Sequence, residues 1–313
     1  MKGLELCRKF YEEYGAPMIH DNFSAIEGEI AVGLFGSGSE CFGYDDEVSQ
    51  DHDFEPGFCI ILPDEGVVDR RTAFLLERAY AKLPKSFNGF ERSKINPVGG
   101  NRHGVIRAAD FFTEKTGRAD GLLTGDEWFS VPENFLAEAT NGEIFRDDNG
   151  AFSAVRDYLS TYPKDVMLKK LAGHLLLAAQ AGQYNYARCL AHGEYAAAQL
   201  AAIEFTDHAI SAIFLMNNRY KPYYKWTFRA LKDLPKLSST YDSFQFLITT
   251  DNSAENAKKK IKTIENICLT IADALRNANL SKATCADLEK HAYSVNDSVS
   301  DATIRNRHVL SAV

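Results

Sequence analysis

Several things that would settle the class of this chain at once are missing from it. No long apolar run is uninterrupted: the region around residues 196–216 is broken by Glu204, Asp207 and His208, so no segment is expected to span a bilayer. Residues 1–16 are polar and amphipathic, with no apolar signal core. No Cys-x-x-Cys pair occurs. The cysteines Cys7, Cys41, Cys59, Cys189, Cys268 and Cys285 are scattered, which argues against a zinc ribbon and for reduced thiols in a cytoplasmic protein. Positive charge is in deficit, 35 Lys and Arg against 43 Asp and Glu, a formal net charge of −8. A protein that tracks nucleic acid by its phosphates needs a basic face, so extended nucleic-acid binding is excluded. There is no Gly-Lys-Ser/Thr of a Walker loop, no GxSxG elbow and no HExxH. The third glycine of a dinucleotide fingerprint would fall at Cys41. Internal repeats and low-complexity linkers are also absent.

What remains is an ordinary globular composition, 45% hydrophobic and 25% charged over 313 residues, enough for two modest domains. The first part interleaves strands and helices. Leu4, Phe10, Tyr11 and Tyr14 suit a helix that stops at Gly15 and Pro17. Residues 30–35 and 57–62 read as buried strands, residues 71–83 as a helix with Leu75, Leu76, Ala79 and Leu83 on one side. Residues 88–104 read as a loop and 105–112 as a third strand. After about residue 150 the pattern becomes helical, with long periodic stretches at 187–217 and 257–277. Thr284 and Asp301 look like helix starts, and 243–249 is the one stretch there with strand composition. The expectation is an α+β protein: residues 1–150 a mixed sheet with helices, residues 151–313 an all-α bundle.

The informative segment is Gly33-Leu-Phe-Gly-Ser-Gly-Ser-Glu40, followed by Asp51-His-Asp-Phe54. A strand runs into a small-residue turn, where exposed N–H groups and a serine hydroxyl can donate to phosphate oxygens. Alternation along an extended chain would put Asp51 and Asp53 on one face. Paired carboxylates repel, and a divalent cation relieves the repulsion. Magnesium takes one or two carboxylates plus substrate phosphates. The competing account of Asp51 and Asp53 is a solvated acidic turn, since Asp45, Asp46, Glu47 and Glu55 are close by; the glycine turn favours metal. Asp45 and Asp46 read as surface or turn-capping groups, and His52 as a packing or hydrogen-bonding residue. Lys94 and Arg102 read as solvated loop charges. Glu204 and His208 have i, i+4 ligand spacing but lack a third ligand in the sequence, so they read as structural.

This segment resembles the signature of the nucleotidyltransferase superfamily that includes DNA polymerase beta and kanamycin nucleotidyltransferase: a Gly-Ser turn, a spacer, then Asp-x-Asp. It is more closely similar to a bacterial family of predicted nucleotidyltransferases of unassigned function, as are Asp126-Glu-Trp128, Tyr162-Pro-Lys-Asp165 and Arg219-Tyr-Lys-Pro-Tyr-Tyr-Lys-Trp226. The resemblance implies a nucleotidyltransferase-fold first domain followed by a helical domain, with the active site expected in the cleft between them. Gly36, Ser37, Gly38 and Ser39 would cradle the terminal phosphates, and Asp51 and Asp53 would hold two Mg²⁺. Asp110 is the candidate third carboxylate, as ligand or general base. Lys225 is a candidate triphosphate ligand, with Tyr223 or Tyr224 stacking on a ring; the same block reads equally well as an aromatic anchor. The implied reaction moves a nucleoside monophosphate from an NTP, expected to be ATP, to a hydroxyl of a small-molecule or protein acceptor. The rival is a catalytically weak nucleotide-binding sensor or antitoxin-like protein of the same fold.

Overall fold

The computed structural model describes residues 1–51, 54–92 and 103–313, with residues 50 and 51 in their backbone only. The fold is α+β, a small mixed sheet set among many helices. The chain forms two compact units, Met1–Gly125 with Val131–Ser160, and Asp126–Ser130 with Thr161–Val313.

The first unit holds strands β1 (Ala31–Leu34), β2 (Cys59–Leu62), β3 (Ser86–Phe87), β4 (Phe90–Glu91), β5 (Gly104–Arg107) and β6 (Glu143–Asp147). Four of them make one sheet in the order β5-β2-β1-β6; β3 and β4 form a separate hairpin. β1 runs antiparallel to both neighbours, while β2 and β5 are parallel and are joined by a crossover that contains a helix. Every residue of β1 and β2 is buried, as expected of central strands covered on both faces. One face packs Val32, Ile60 and Leu62 against Phe10, Ile19 and Phe58. Elsewhere in the unit the rings of Phe35, Phe111 and Phe152 meet at centroid distances of 5.1 to 5.6 Å.

The helices are α1 (Gly3–Phe10), α2 (Ala16–Phe23), α3 (Arg70–Ala81) and α4 (Ala108–Thr116). Then come α5 (Glu127–Ser130), which belongs to the second unit, α6 (Glu133–Thr140) and α7 (Ala151–Leu159). Three expectations change here. The first helix does not stop at Gly15: a wide π turn, Tyr11–Gly15, carries it into α2. Pro17 falls in the first turn of α2, where a missing N–H is tolerated. On α3, capped by Asp69 accepting from Thr72 N–H at 2.7 Å, the buried side is Leu76 and Tyr80, and Leu75 is 46% exposed. The third strand ends at Arg107 and the chain turns straight into α4, so the apolar pair Phe111 and Phe112 packs from a helix. β6 carries a mixed polar sequence and gave no strand signal; pairing to β1 makes it a strand.

The second unit contains α8 (Lys164–Ala178), α9 (Ala187–Ala191), α10 (Tyr195–Met216), α11 (Tyr224–Lys232), α12 (Tyr241–Thr249), α13 (Ala254–Asn277), α14 (Leu288–Asp297) and α15 (Ala302–Arg305). α8 is buried nearly all round and packs on α10, α14 and the turn Val309–Ala312. Its buried Lys169 is satisfied by neutral oxygens, Asn296 Oδ1 at 2.8 Å and the carbonyls of Arg305 and Arg307. The stretch at 187–217 is two helices, broken where Gly193 takes φ +76°. Residues 243–249 are helical within α12, where buried Phe244 and Leu247 lie a turn apart. Asp301 caps α15 as expected, whereas the helix anticipated at Thr284 starts at Leu288 behind Asp287. Among the described residues, no helix is long and apolar enough to cross a membrane.

His208 of α10, held by Glu204 at 3.2 Å, meets His174 of α8 with their Nδ1 atoms 2.9 Å apart. Burial, helped by the charges of His208, Lys221 and Lys170, holds His174 well below the ordinary imidazole value of 6.5. The unfolded chain therefore takes up this proton at a higher pH than the folded chain. Stability should fall as pH drops below about 6.5, by up to about 1.4 kcal/mol per pH unit from this one group. Thermal unfolding at pH 7.5 and 5.5 measures the loss. His174→Gln should lose less than wild type over that interval, and equal losses would contradict the assignment.

Candidate functional site

β1 delivers the chain into a turn at Phe35 and Gly36 before a short 3-10 turn at Glu40–Phe42. Gly36 has φ +104°, which side chains other than hydrogen rarely adopt. The Asn141 carboxamide grips its two backbone groups at once. Asn141 Oδ1 accepts from Gly36 N–H at 2.8 Å, and Asn141 Nδ2 donates to the Gly36 carbonyl at 2.8 Å. Gly142, at φ +66°, donates its N–H to the Cys41 carbonyl at 2.9 Å, and a Cβ there would lie 2.0 Å from the Leu34 carbonyl oxygen. The Asn141 carbonyl accepts from Arg156 Nη2, and that guanidinium lies 4.9 Å from the centre of the Phe35 ring. The turn is thus braced from the far edge of β1 by residues 141, 142 and 156.

Beyond Gly36 the turn opens. Ser37 is exposed, Gly38 and Ser39 are half-buried, and the N–H groups of Ser37 and Gly38 have no protein acceptor among the described residues. The carbonyl of Ser39 accepts from Tyr44 N–H at 2.7 Å, which closes the loop. Asp45 is buried, not a surface group, and caps α1 by accepting from Gly3 N–H at 2.8 Å. Asp46 caps the 3-10 turn Val48–Asp51 through the N–H groups of Val48 and Ser49, both at 3.1 Å.

Gly36 and Ser37 line one side of a cavity of about 340 Å³ within the first unit. Cys59, Leu62 and Val105 of the sheet also line it, with Glu77 of α3 and Asp110, Glu114 and Lys115 of α4. Asp110 therefore joins the Ser37 turn in one cavity, but from the first turn of α4 and not from a strand, with its side chain exposed. A carboxylate there also suits the positive end of the helix dipole. Lys115, 7% exposed at its side chain, is held at 2.7 Å by both Glu114 and Glu138, and Arg107 Nη1 donates to the Pro63 carbonyl at 2.6 Å. Burial pushes the Cys59 thiol up to about 12, so it stays protonated at neutral pH.

The backbone of Asp51 ends the turn Val48–Asp51; its side chain, and the whole of His52, Asp53, Lys94 and Arg102, lie outside the described residues. Among the described residues no group of three or more His, Cys, Asp or Glu side chains is placed to hold a metal ion. Lys225 is in the second unit, exposed in the first turn of α11, with Nζ 5.1 Å from the Trp226 ring centre. The aromatic block around it divides. Tyr220 is buried and packs on Tyr162 at 4.8 Å, and Tyr162 on Trp128 at 5.7 Å, so this part is an anchor. Tyr223 and Tyr224 are 47% and 74% exposed, with ring centres 4.4 Å apart.

Residues 128–227 match a family described as a domain of unknown function (DUF4037). No curated protein matches the chain. The matched segment includes Asn141, Gly142 and Arg156 together with the Trp128, Tyr162 and Tyr220 cluster, and it leaves out Ser37, Asp51 and Asp53. Asn141 and Arg156 carried no weight in the sequence reading. Asn-Gly is a turn signal, but nothing in the sequence pairs it with a glycine 105 residues earlier.

The bracing makes an ordered prediction. Gly142→Ala combines positive φ with a backbone clash and should cost about 3 kcal/mol or more. Gly36→Ala meets open space and carries only the conformational cost, about 1–2 kcal/mol. Urea unfolding ranks the two, and a smaller loss for Gly142→Ala would contradict the packing described.

Proposed function

We propose that the first unit has a nucleotidyltransferase fold, binds an NTP and transfers its nucleoside monophosphate to a hydroxyl of an acceptor, releasing pyrophosphate. The observation that carries this reading is the meeting of the Gly36-Ser37 turn and the Asp110 carboxylate in one cavity. The Asp51-x-Asp53 pair follows that turn at the spacing on which the superfamily resemblance rests. ATP is the expected donor, and the acceptor is a small molecule or a protein.

The donor set suits Mg²⁺. Asp51, Asp53 and Asp110 offer hard carboxylate oxygens, the ligand type that magnesium prefers. Asp51 and Asp53 would hold the ions, whose charge would offset that building on the leaving phosphates. The Ser37 hydroxyl and the N–H groups of Ser37 and Gly38 donate to phosphate oxygens. Asp110 accepts the proton of the acceptor hydroxyl as its oxygen bonds to the α-phosphorus. The α-phosphorus bond to the bridging oxygen breaks, and pyrophosphate leaves with that electron pair.

Two outcomes test the reading. Mg²⁺ and ATP together should raise the melting temperature well beyond the sum of their separate effects, because paired carboxylates bind the ion weakly until phosphate oxygens complete its shell. Equal shifts with ATP plus chelator would count against it. Asp51→Asn and Asp53→Asn should each reduce pyrophosphate release at least about a hundredfold, as expected for loss of a charge that stabilises the transition state. Melting without ligand should be unchanged or raised, since like-charge repulsion is relieved. Wild-type release from both variants would sink the enzymatic reading, and joint binding without any release from wild type would leave a nucleotide sensor.

A further inference from the structure

Arg156 is a charge that the first unit keeps at a cost. The residue is 8% exposed, and its Nη1 is buried with no hydrogen-bond partner among the described residues. No ion pair to it is present among the described residues. What surrounds the guanidinium is aromatic and neutral: the Phe35 ring at 4.9 Å, the Phe152 ring at 5.8 Å and the Asn141 carbonyl that accepts from Nη2. Burial lowers its pKa only to about 10, against a smaller opposing pull from the Asp157 carboxylate, so it stays protonated at neutral pH. A desolvated cation with no ion pair among the described residues is destabilising, and replacing such a charge by an apolar side chain of similar size is often neutral or stabilising. A stability role therefore does not explain it.

Its position does. Phe35, under the guanidinium, is the residue before Gly36, and Asn141, which accepts from Arg156, is the residue that grips both backbone groups of Gly36. One side of this relay faces the buried charge. The other faces the turn where the N–H groups of Ser37 and Gly38 have no protein acceptor among the described residues. We propose that Arg156 and Asn141 are positioning residues for a polyphosphate. Asn141 fixes the Gly36 peptide so that the following N–H groups point outward, and Arg156 both orients Asn141 and lends the turn a positive potential that an arriving phosphate completes.

The proposal rests on the nucleotide reading above and deepens it, and its test uses a probe with no base, sugar or acceptor. Binding of inorganic tripolyphosphate in the presence of Mg²⁺ is measured by calorimetry on the full chain, alongside thermal unfolding without ligand. Arg156→Met should weaken tripolyphosphate binding about tenfold or more, the loss expected when a charge-assisted contact is removed or misaligned. Its melting temperature should hold or rise, because a buried charge has been taken away. Arg156→Lys should recover part of the affinity. Asn141→Ala should weaken binding similarly and speed amide exchange at Gly36 even without ligand; if that variant does not fold, the arginine pair still decides. A merely structural arginine predicts the opposite pattern: lower stability with unchanged affinity, and that result overturns the proposal. If wild type binds neither tripolyphosphate nor ATP, the nucleotide reading itself fails and takes the proposal with it. Wild-type binding retained in Arg156→Met refutes the positioning role alone.

Discussion

The Gly36 peptide is fixed at both of its backbone groups by a single side chain. Glycine takes φ +104° at the end of this buried strand without strain, and the two-point carboxamide of Asn141 is the grip that fixes it there. Several features of the first unit follow from it. Asn141 has to stand beside the end of β1, so the chain after α6 must re-enter the sheet there as β6, against the edge that β1 leaves free. Gly142 has to lack a side chain, because the Leu34 carbonyl occupies the space. Arg156 of α7 has to lie under Phe35 to reach the Asn141 carbonyl. The cavity then opens where the gripped turn points, between sheet, α3 and α4. A rigid, outward-facing turn is also what anion binding by backbone N–H groups requires, because donors that must be reorganised on binding lose much of their benefit.

The segment that matches the domain of unknown function falls on both sides of this arrangement. Its residues 141, 142 and 156 brace the turn; Trp128 at its start and its later part belong to the second unit, where Trp128, Tyr162 and Tyr220 meet edge to face in series. Asp165 likewise acts structurally, accepting from the N–H groups of Ser300 and Asp301 at 3.1 and 2.8 Å, and Asp126 pairs with Arg307 at 2.7 Å. Within the second unit these motifs read as packing and capping. The chemistry-bearing residues of the proposal lie upstream, in the turn and the acidic pair.

Local patterns in the sequence made part of this legible. The strands at residues 31–34 and 59–62 follow from short apolar runs bounded by glycine and proline, and the long helices from their periodicity. Ser37 and Asp110 are expected at one site, and the two do line one cavity. The failures share a cause. β6 and the helical state of residues 243–249 depend on tertiary partners that override local preference. The Asn141 grip and the unpaired Arg156 depend on contacts between distant residues and leave no periodic trace. His174, the partner of His208, was invisible because 34 residues separate them.

A crystal structure with a non-hydrolysable ATP analogue and Mg²⁺ would locate the triphosphate and the ions together. The account predicts phosphate oxygens within hydrogen-bond distance of the N–H groups of Ser37 and Gly38 and metal density bridging the phosphates to Asp51 and Asp53. A nucleotide bound away from the Gly36-Ser37 turn, or bound there with no ion at the two aspartates, would contradict it.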